Sequence, residues 1–399
     1  MTETPFDLER ARRETPACER VLHFNNAGAS LMPAPVLDAV VSHLELEAEV
    51  GGYEAEERER DRHERVYDLV ARLINCAREE VAVVENATRA WDMAFYSLPL
   101  GAGDRILTSR AEYASNYIAY LQAARRKGVQ VEPVPSDETG QLSVEHLRSM
   151  MDERVRLIAV THVPTNGGLV NPAAEVGRVA REWGVPFLLD ACQSVGQMPI
   201  DVEEIGCDML SATGRKFLRG PRAVGFLYVR RSMLERLEPV LLDMHAAEWI
   251  DADHYRLRAD ARRFENWETN YATKLGLAAA VEYALSWGLE AIETRVTALA
   301  SDLRARLGEL PGVVVRDLGA RRCGIVTFTV DSVAPEELMR RLAEQRINVT
   351  ISRTPGTRLD MEARGLEELV RASVHYYNSE AEVARFCEAV AQVQREASS

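Results

Sequence analysis

The chain has 399 residues, 46% hydrophobic and 28% charged, with a formal net charge of −14; this is the balance of a globular protein large enough for more than one core, and its acidity argues against a general nucleic-acid binder. No apolar run is long enough to cross a bilayer, and residues 1–20 are charged throughout, without the apolar core and cleavage site of a secretory signal. The six cysteines (Cys18, Cys76, Cys192, Cys207, Cys323, Cys387) lie far apart, with no CxxC or Cys/His cluster, so reduced thiols, no metal, no membrane or nucleic-acid partner and a cytoplasmic location are expected.

Apolar residues recur three and four apart over Ala34–Val50 and again over residues 66–74, predicting two helices, with EVGGYEAEE between them interrupted by Gly51 and Gly52. After Asn86 and Thr88 a helical pattern resumes, and GAGDRILTSR then reads as turn, short buried strand and loop. Strands are predicted over 155–160, 185–189 and 225–229, with a helix over 172–183. Such alternation argues for a mainly parallel sheet covered by helices on both faces. From Tyr271 a helical stretch broken at Gly288 runs to Leu310. A Pro311–Gly312 turn, the strands VVVRDL and GIVTFTV, a helix over 335–345 and a last strand and helix within 370–393 follow. The expectation is an α/β chain in two parts: a large domain over 20–270, and a smaller α+β domain over 271–399 that includes the N-terminal segment 1–19. No repeat, low-complexity tract or long linker separates them.

Two residues carry the chemical signal. VPFLLDACQSVGQMPI sets Asp190 at the C-terminal end of an apolar strand, where open α/β sheets bind ligands, and SATGRKFLRGPRAVGFLYV sets Lys216 in a turn before another apolar strand. Singly, the carboxylate reads equally as a helix cap or ion-pair partner, and the lysine as a solvent-exposed side chain. Together they are what pyridoxal phosphate (PLP) requires: an amine for the Schiff base, and a carboxylate to keep the pyridine nitrogen protonated.

The strand–Asp–x–x–Gln element, followed by the Lys216 motif and its GP–x–x–x–G–x–L–Y–V tail, resembles the class V aminotransferase and cysteine desulfurase family. FNNAGASLMP, ENATRA, THVPTNGGLVNP, RRFENWETN and VRASVHYYNSEAEV extend the resemblance over most of the chain. It implies PLP fold type I and a homodimer with its sites at the subunit interface. Carried over residue by residue, it implies Asp190 at the pyridinium nitrogen and Gln193 at the ring hydroxyl. Ala87 and Thr88 would receive the phosphate at a helix N-terminus, joined by Thr213 and Arg215. The family usually has His at the position of Arg215, so a permanent cation suited to bidentate phosphate or carboxylate binding replaces an imidazole. Tyr113 stands where desulfurases stack a His on the ring, and Thr165 and Asn166 lie in the segment bordering the cofactor. Arg371 matches the arginine that grips the substrate carboxylate, with Arg353 as the other cation to consider. From residues 266–270, where Trp267 and Glu268 replace the family's Gly-Thr, no residue is carried over, and His23, His162, His245 and His375 are assigned no role.

Desulfurases carry their persulfide cysteine on a loop before the substrate arginine. Here that loop reads ISRTPGTRLDMEARGL, without cysteine, and Cys192 is expected to point away from Asp190 as a packed thiol. The branch resembled contains ergothioneine-pathway C–S lyases, cysteine lyases and isopenicillin-N-epimerase-like proteins. The expected activity is therefore β-elimination from a cysteine-derived S-conjugate or sulfoxide, giving aminoacrylate and then pyruvate and ammonia, with catalytic Lys216 and Asp190. An epimerase or aminotransferase is the alternative, and a non-catalytic scaffold a further one.

Overall fold

The computed structural model describes residues 6–397; residues 1–5, the start of the segment assigned to the smaller domain, and 398–399 at its other end lie outside the described residues. Seven strands form the principal sheet: β1 (Val81–Val84), β2 (Arg105–Ser109), β3 (Gln130–Val134), β4 (Val155–Thr161), β5 (Phe187–Asp190), β6 (Met209–Thr213) and β7 (Gly225–Val229), in spatial order β1-β7-β6-β5-β4-β2-β3. The strands β2, β5, β6 and β7 are buried along their whole length, which is why they read as continuous apolar runs instead of alternating ones. All neighbours are parallel except β7, antiparallel to both β1 and β6. The link over 214–224 holds no helix with which to build a parallel crossover, so the chain turns straight back.

A four-stranded antiparallel sheet follows: β8 (Val313–Val315), β9 (Ile325–Val330), β10 (Thr350–Arg353) and β11 (Glu368–Ser373), in order β8-β9-β11-β10. The helices Tyr271–Trp287 and Leu289–Gly308 lie between the two sheets in the chain, joined at Gly288 with φ +82°. Among the described residues no single helix is long and apolar enough to cross a membrane, and this pair, which passes on composition, bends by 79°.

One sequence expectation is corrected: only Gly51 (φ +100°) interrupts the early helices, and Gly52 opens a further helix, Gly52–Arg58, before the helix Arg60–Ile74. The helices Ala114–Lys127 and Val144–Met150 and the strands β1, β3, β6 and β10 are additional to those predicted.

The parallel topology decides where chemistry can occur. Ser109, Thr161, Asp190 and Thr213 are the last residues of β2, β4, β5 and β6. Thr161 lies opposite Asp190, and Asp190 opposite Ser211. Four carboxyl-terminal strand ends therefore open on one crevice.

Candidate active site

At those strand ends lies a cavity of about 160 Å³ lined by Asn86, Ala87, Thr88, Tyr113, Thr161, Val163, Thr165, Asp190, Cys192, Gln193, Thr213, Arg215, Lys216 and Ala223. Nine of the residues singled out from sequence thus line one cavity: Ala87, Thr88, Tyr113, Thr165, Asp190, Gln193, Thr213, Arg215 and Lys216. Arg371, on β11, stands behind Thr165; its Nη1 donates to the Thr165 carbonyl at 2.9 Å and to Oγ1 at 2.7 Å. Two predicted residues are elsewhere. Asn166 turns its amide to the Arg353 carbonyl at 3.1 Å. The Arg353 guanidinium is 51% exposed and is paired with Glu336 at 2.5 Å and Glu368 at 2.7 Å, so Arg353 is not a cation of this site.

The phosphate end is built by local sequence. Asn86 caps the helix Ala87–Tyr96 by accepting from the Arg89 N–H at 2.9 Å, which leaves the Ala87 and Thr88 amides without an intrahelical acceptor. A Cβ at Gly225 would stand 2.4 Å from the Ala212 carbonyl and 3.2 Å from the Ala87 nitrogen, so glycine there lets this helix start directly on the sheet. The turn after β5 meets the lysine loop in the same manner: at Gly196 (φ +91°) a Cβ would lie 2.4 Å from the Phe217 carbonyl carbon.

Asp190 is 5% exposed and fixed from both sides. Its Oδ1 accepts from the Cys192 N–H at 2.9 Å, and its Oδ2 from Asn116 Nδ2 at 3.0 Å. The same Asn116 nitrogen donates to Oε1 of Glu112 at 3.0 Å. Glu112, 3% exposed, also accepts from the Tyr113 N–H (2.8 Å), the Thr161 N–H (3.1 Å) and the Thr108 hydroxyl (2.9 Å). Burial, with Asp190 adding to it, pushes the Glu112 carboxyl up to about 7 against the hydrogen bonds that lower it. Sequence reading missed Glu112 and Asn116; the i, i+4 pair Glu/Asn in AEYASN was the available signal.

Lys216 is half-buried at the cavity, and desolvation, reinforced by Arg215 and Arg371, lowers its ammonium below the usual lysine range despite Cys192 and Asp190. Desolvation first, then Arg215, takes Arg371 down to about 10. Cys192 departs from the expected orientation: it lines the cavity beside Asp190. Cys192 is two residues beyond Asp190, and side chains two apart along an extended chain fall on the same side, so Cys192 stays beside the carboxylate. Burial, then Asp190, holds its thiol well above the usual range. The histidines left unassigned are structural: His23 Nε2 meets the Ala29 carbonyl at 2.9 Å, His375 Nε2 the Phe217 carbonyl at 2.8 Å, and His245 the Glu265 carboxylate at 3.1 Å. His162 is buried and pushed down to about 3 by desolvation.

These residues fit PLP. Gln193 Oε1 and Arg371 Nε are buried without a protein partner, groups a bound ligand would have to satisfy. A helix N-terminus with two hydroxyls suits a phosphate, and Asp190 suits a pyridinium nitrogen facing it.

Comparison with known proteins agrees with this fold. A probable cysteine desulfurase of Pyrococcus abyssi is 30% identical over 385 residues, covering 95% of each chain. The apo cysteine desulfurase of Thermococcus onnurineus superimposes with a TM-score of 0.92 at 27% identity, over 99% of this chain and 100% of that one. A cystine C–S lyase solved with its product cysteine persulfide has the same fold, with a TM-score of 0.85 at 24% identity over 94% of this chain and 99% of the other. Residues 22–386 match the family described as aminotransferase class-V, and the chain belongs to that family of PLP-dependent enzymes.

Proposed function

We propose that this protein is a PLP-dependent carbon–sulfur lyase that cleaves a cysteine-derived S-conjugate or sulfoxide, releasing the sulfur fragment, pyruvate and ammonia. PLP, when bound, supplies a covalent electron sink for the bond-breaking at Cα and Cβ. Ala87, Thr88 and Thr213 would hold its phosphate, Gln193 its ring oxygen and Asp190 its ring nitrogen, with the Tyr113 ring offered as a flat face. Arg371 would grip the substrate α-carboxylate and orient Cα–H. Lys216 Nζ, whose ammonium form its surroundings disfavour, would take the proton from Cα and return it to the departing sulfur. Hydrolysis of the released aminoacrylate would then give pyruvate and ammonia.

The observation that carries lyase over sulfur transfer is the state of the thiols. No cysteine occurs between Cys323 and Cys387, and the one lining the cavity, Cys192, is held protonated and so is a poor nucleophile. The position of Cys192 favours a second reading: a desulfurase in which this sulfur accepts the substrate's sulfur, leaving alanine and an enzyme persulfide. Incubating the holoenzyme with cysteine, cystine, S-alkyl cysteines and their sulfoxides separates the two. Pyruvate in step with ammonia, abolished in Lys216→Ala, is expected; alanine with a persulfide on Cys192 would replace the proposal by the second reading.

A homodimer with sites at the interface belongs to the same proposal. The segment 240–267 leaves Leu241, Met244, Trp249 and Trp267 between 50% and 80% exposed, an apolar strip that a second copy would cover. Light scattering at micromolar concentration should give twice the 44.6 kDa chain mass.

A further inference from the structure

One buried carboxyl stands beside the cavity without lining it. Glu112 accepts from five neutral donors: the N–H groups of Tyr113 and Thr161, the hydroxyls of Thr108 and Thr161, and Asn116 Nδ2. Burying a carboxyl among neutral groups costs stability, so its significance lies in what it holds. Two of its donors belong to residues that bear on the cofactor. Asn116 divides its amide hydrogens between two carboxyls, Oε1 of Glu112 and Oδ2 of Asp190, each at 3.0 Å. Tyr113, which lines the cavity, gives its N–H to the same Glu112 oxygen at 2.8 Å.

Resting on the reading of Asp190 and Tyr113 given above, we propose that Glu112 is the positioning residue for the cofactor ring. Through Asn116 it fixes the carboxylate that meets the ring nitrogen, and through the Tyr113 backbone it fixes the side chain offered to the ring face. Its own anchors lie in several elements. Thr108 belongs to β2, Thr161 ends β4 opposite Asp190, and Asn116 stands in the first turn of the helix Ala114–Lys127, which Tyr113 caps. Turning the Asp190 carboxylate about Cβ–Cγ would break its bond to Asn116, and turning the Asn116 amide would break its bond to Glu112. The plane of the carboxylate is therefore set before the cofactor arrives, which is how a supporting residue lowers the cost of reorganisation at a site. Because Tyr113 and Asn116 meet the same oxygen of Glu112, any slip of one relative to the other strains a bond at that atom. Ring edge and ring face thus keep a fixed relation, as a flat ligand held by both requires.

The test reads the cofactor and needs no turnover. It uses the PLP dissociation constant and the circular dichroism of the bound cofactor's visible band, a signal set by how asymmetrically the ring is held. Asn116→Ala should weaken PLP binding about tenfold, the effect of losing one hydrogen bond to a charged group. In an Asp190→Ala background the same change should weaken it by less than about twofold, because Asn116 acts only through that carboxylate. Glu112→Asp keeps the charge but withdraws the carboxyl by one methylene, and should reduce the visible dichroism by about half or more. Glu112→Gln, which can still present a carbonyl oxygen to Asn116 and Tyr113, should retain most of it. A Glu112→Asp protein that melts at a lower temperature yet keeps the parent's dichroism when folded and loaded would make Glu112 merely structural and overturn the proposal. So would an Asn116→Ala effect that is absent, or that persists undiminished in the Asp190→Ala background. If Asp190→Ala alone binds PLP as tightly as the parent, the assignment of Asp190 to the ring nitrogen fails and takes the proposal with it, an outcome distinct from the other three.

Discussion

Replacing Glu112 by Gln removes a proton-binding group from beneath Asp190 without changing its size. Burial raises the Glu112 carboxyl from its ordinary 4.5 to about 7, so the folded chain binds that proton more tightly than the unfolded chain does. Below pH 4.5 both states hold the proton and nothing is lost. As pH rises from 4.5 to 7 the unfolded chain releases it first, and the folded state loses stability, by about 3 kcal/mol once both states are ionised. The amide variant has no such proton. It carries a different cost, because whichever oxygen becomes NH₂ must face an N–H donor, that of Thr161 on one side or those of Tyr113 and Asn116 on the other. That cost, about 1–3 kcal/mol, does not vary with pH and cancels from the slope. Denaturant unfolding of cofactor-free parent and variant at one protein concentration, from pH 5 to 8, should show the parent losing about 2–3 kcal/mol relative to the variant. A difference flat to within about 0.5 kcal/mol across that range would refute the reasoning. The functional corollary is that a protonated Glu112 spares Asp190 a second full negative charge at the distance spanned by Asn116.

Asp190→Asn should lower kcat by about a hundredfold or more in steady-state assays, through loss of the charge facing the ring nitrogen and through opposition of its new NH₂ to Asn116 Nδ2. Arg371→Lys should raise KM for carboxylate-bearing substrates while leaving the PLP absorption spectrum unchanged, because the planar fork is lost and the charge is kept. Arg219→Leu should destabilise the fold by roughly 3 kcal/mol in denaturant titration, since it strands the Leu31 carbonyl and the hydroxyls of Thr15 and Tyr376 that Arg219 now bonds.

What the sequence could disclose follows from how local each signal is. Asp190 and Lys216 were readable because each stands where an apolar run ends and a turn begins, and the strands that carry or follow them are buried throughout. The strand β3 was not, because at the sheet edge only its last residue is buried and its sequence QVEPV tolerates a proline. Glu112 looked like any surface acid in RAEYASN; only the adjacency of β2 and β4 encloses it among Thr108, Asn116 and Thr161. Arg353 misled for the opposite reason, since its nearness in sequence to the cavity says nothing of the two glutamates that claim its side chain.

The lysine loop is the strongest instance of a local motif held by distant parts of the chain. Arg219 and Ala223 both adopt left-handed backbone, at φ 62° and 57°, a conformation that costs non-glycine residues of order 1 kcal/mol each and persists only where surroundings over-determine it. The surroundings here come from both ends of the sequence. The Arg219 guanidinium donates to Thr15 Oγ1 at 2.6 Å, to the Leu31 carbonyl at 2.9 Å and to Tyr376 Oη at 2.7 Å, and lies 4.4 Å from the Tyr377 ring centre. His375 meets the Phe217 carbonyl next to Lys216. The N-terminal segment and the turn after β11 therefore fix the loop that presents Lys216, and the same turn follows directly on the strand bearing Arg371. Amine and guanidinium are thus positioned by one packed unit, which is the arrangement a reaction needs when the group that binds the carboxylate also sets the angle at which Cα–H meets its base.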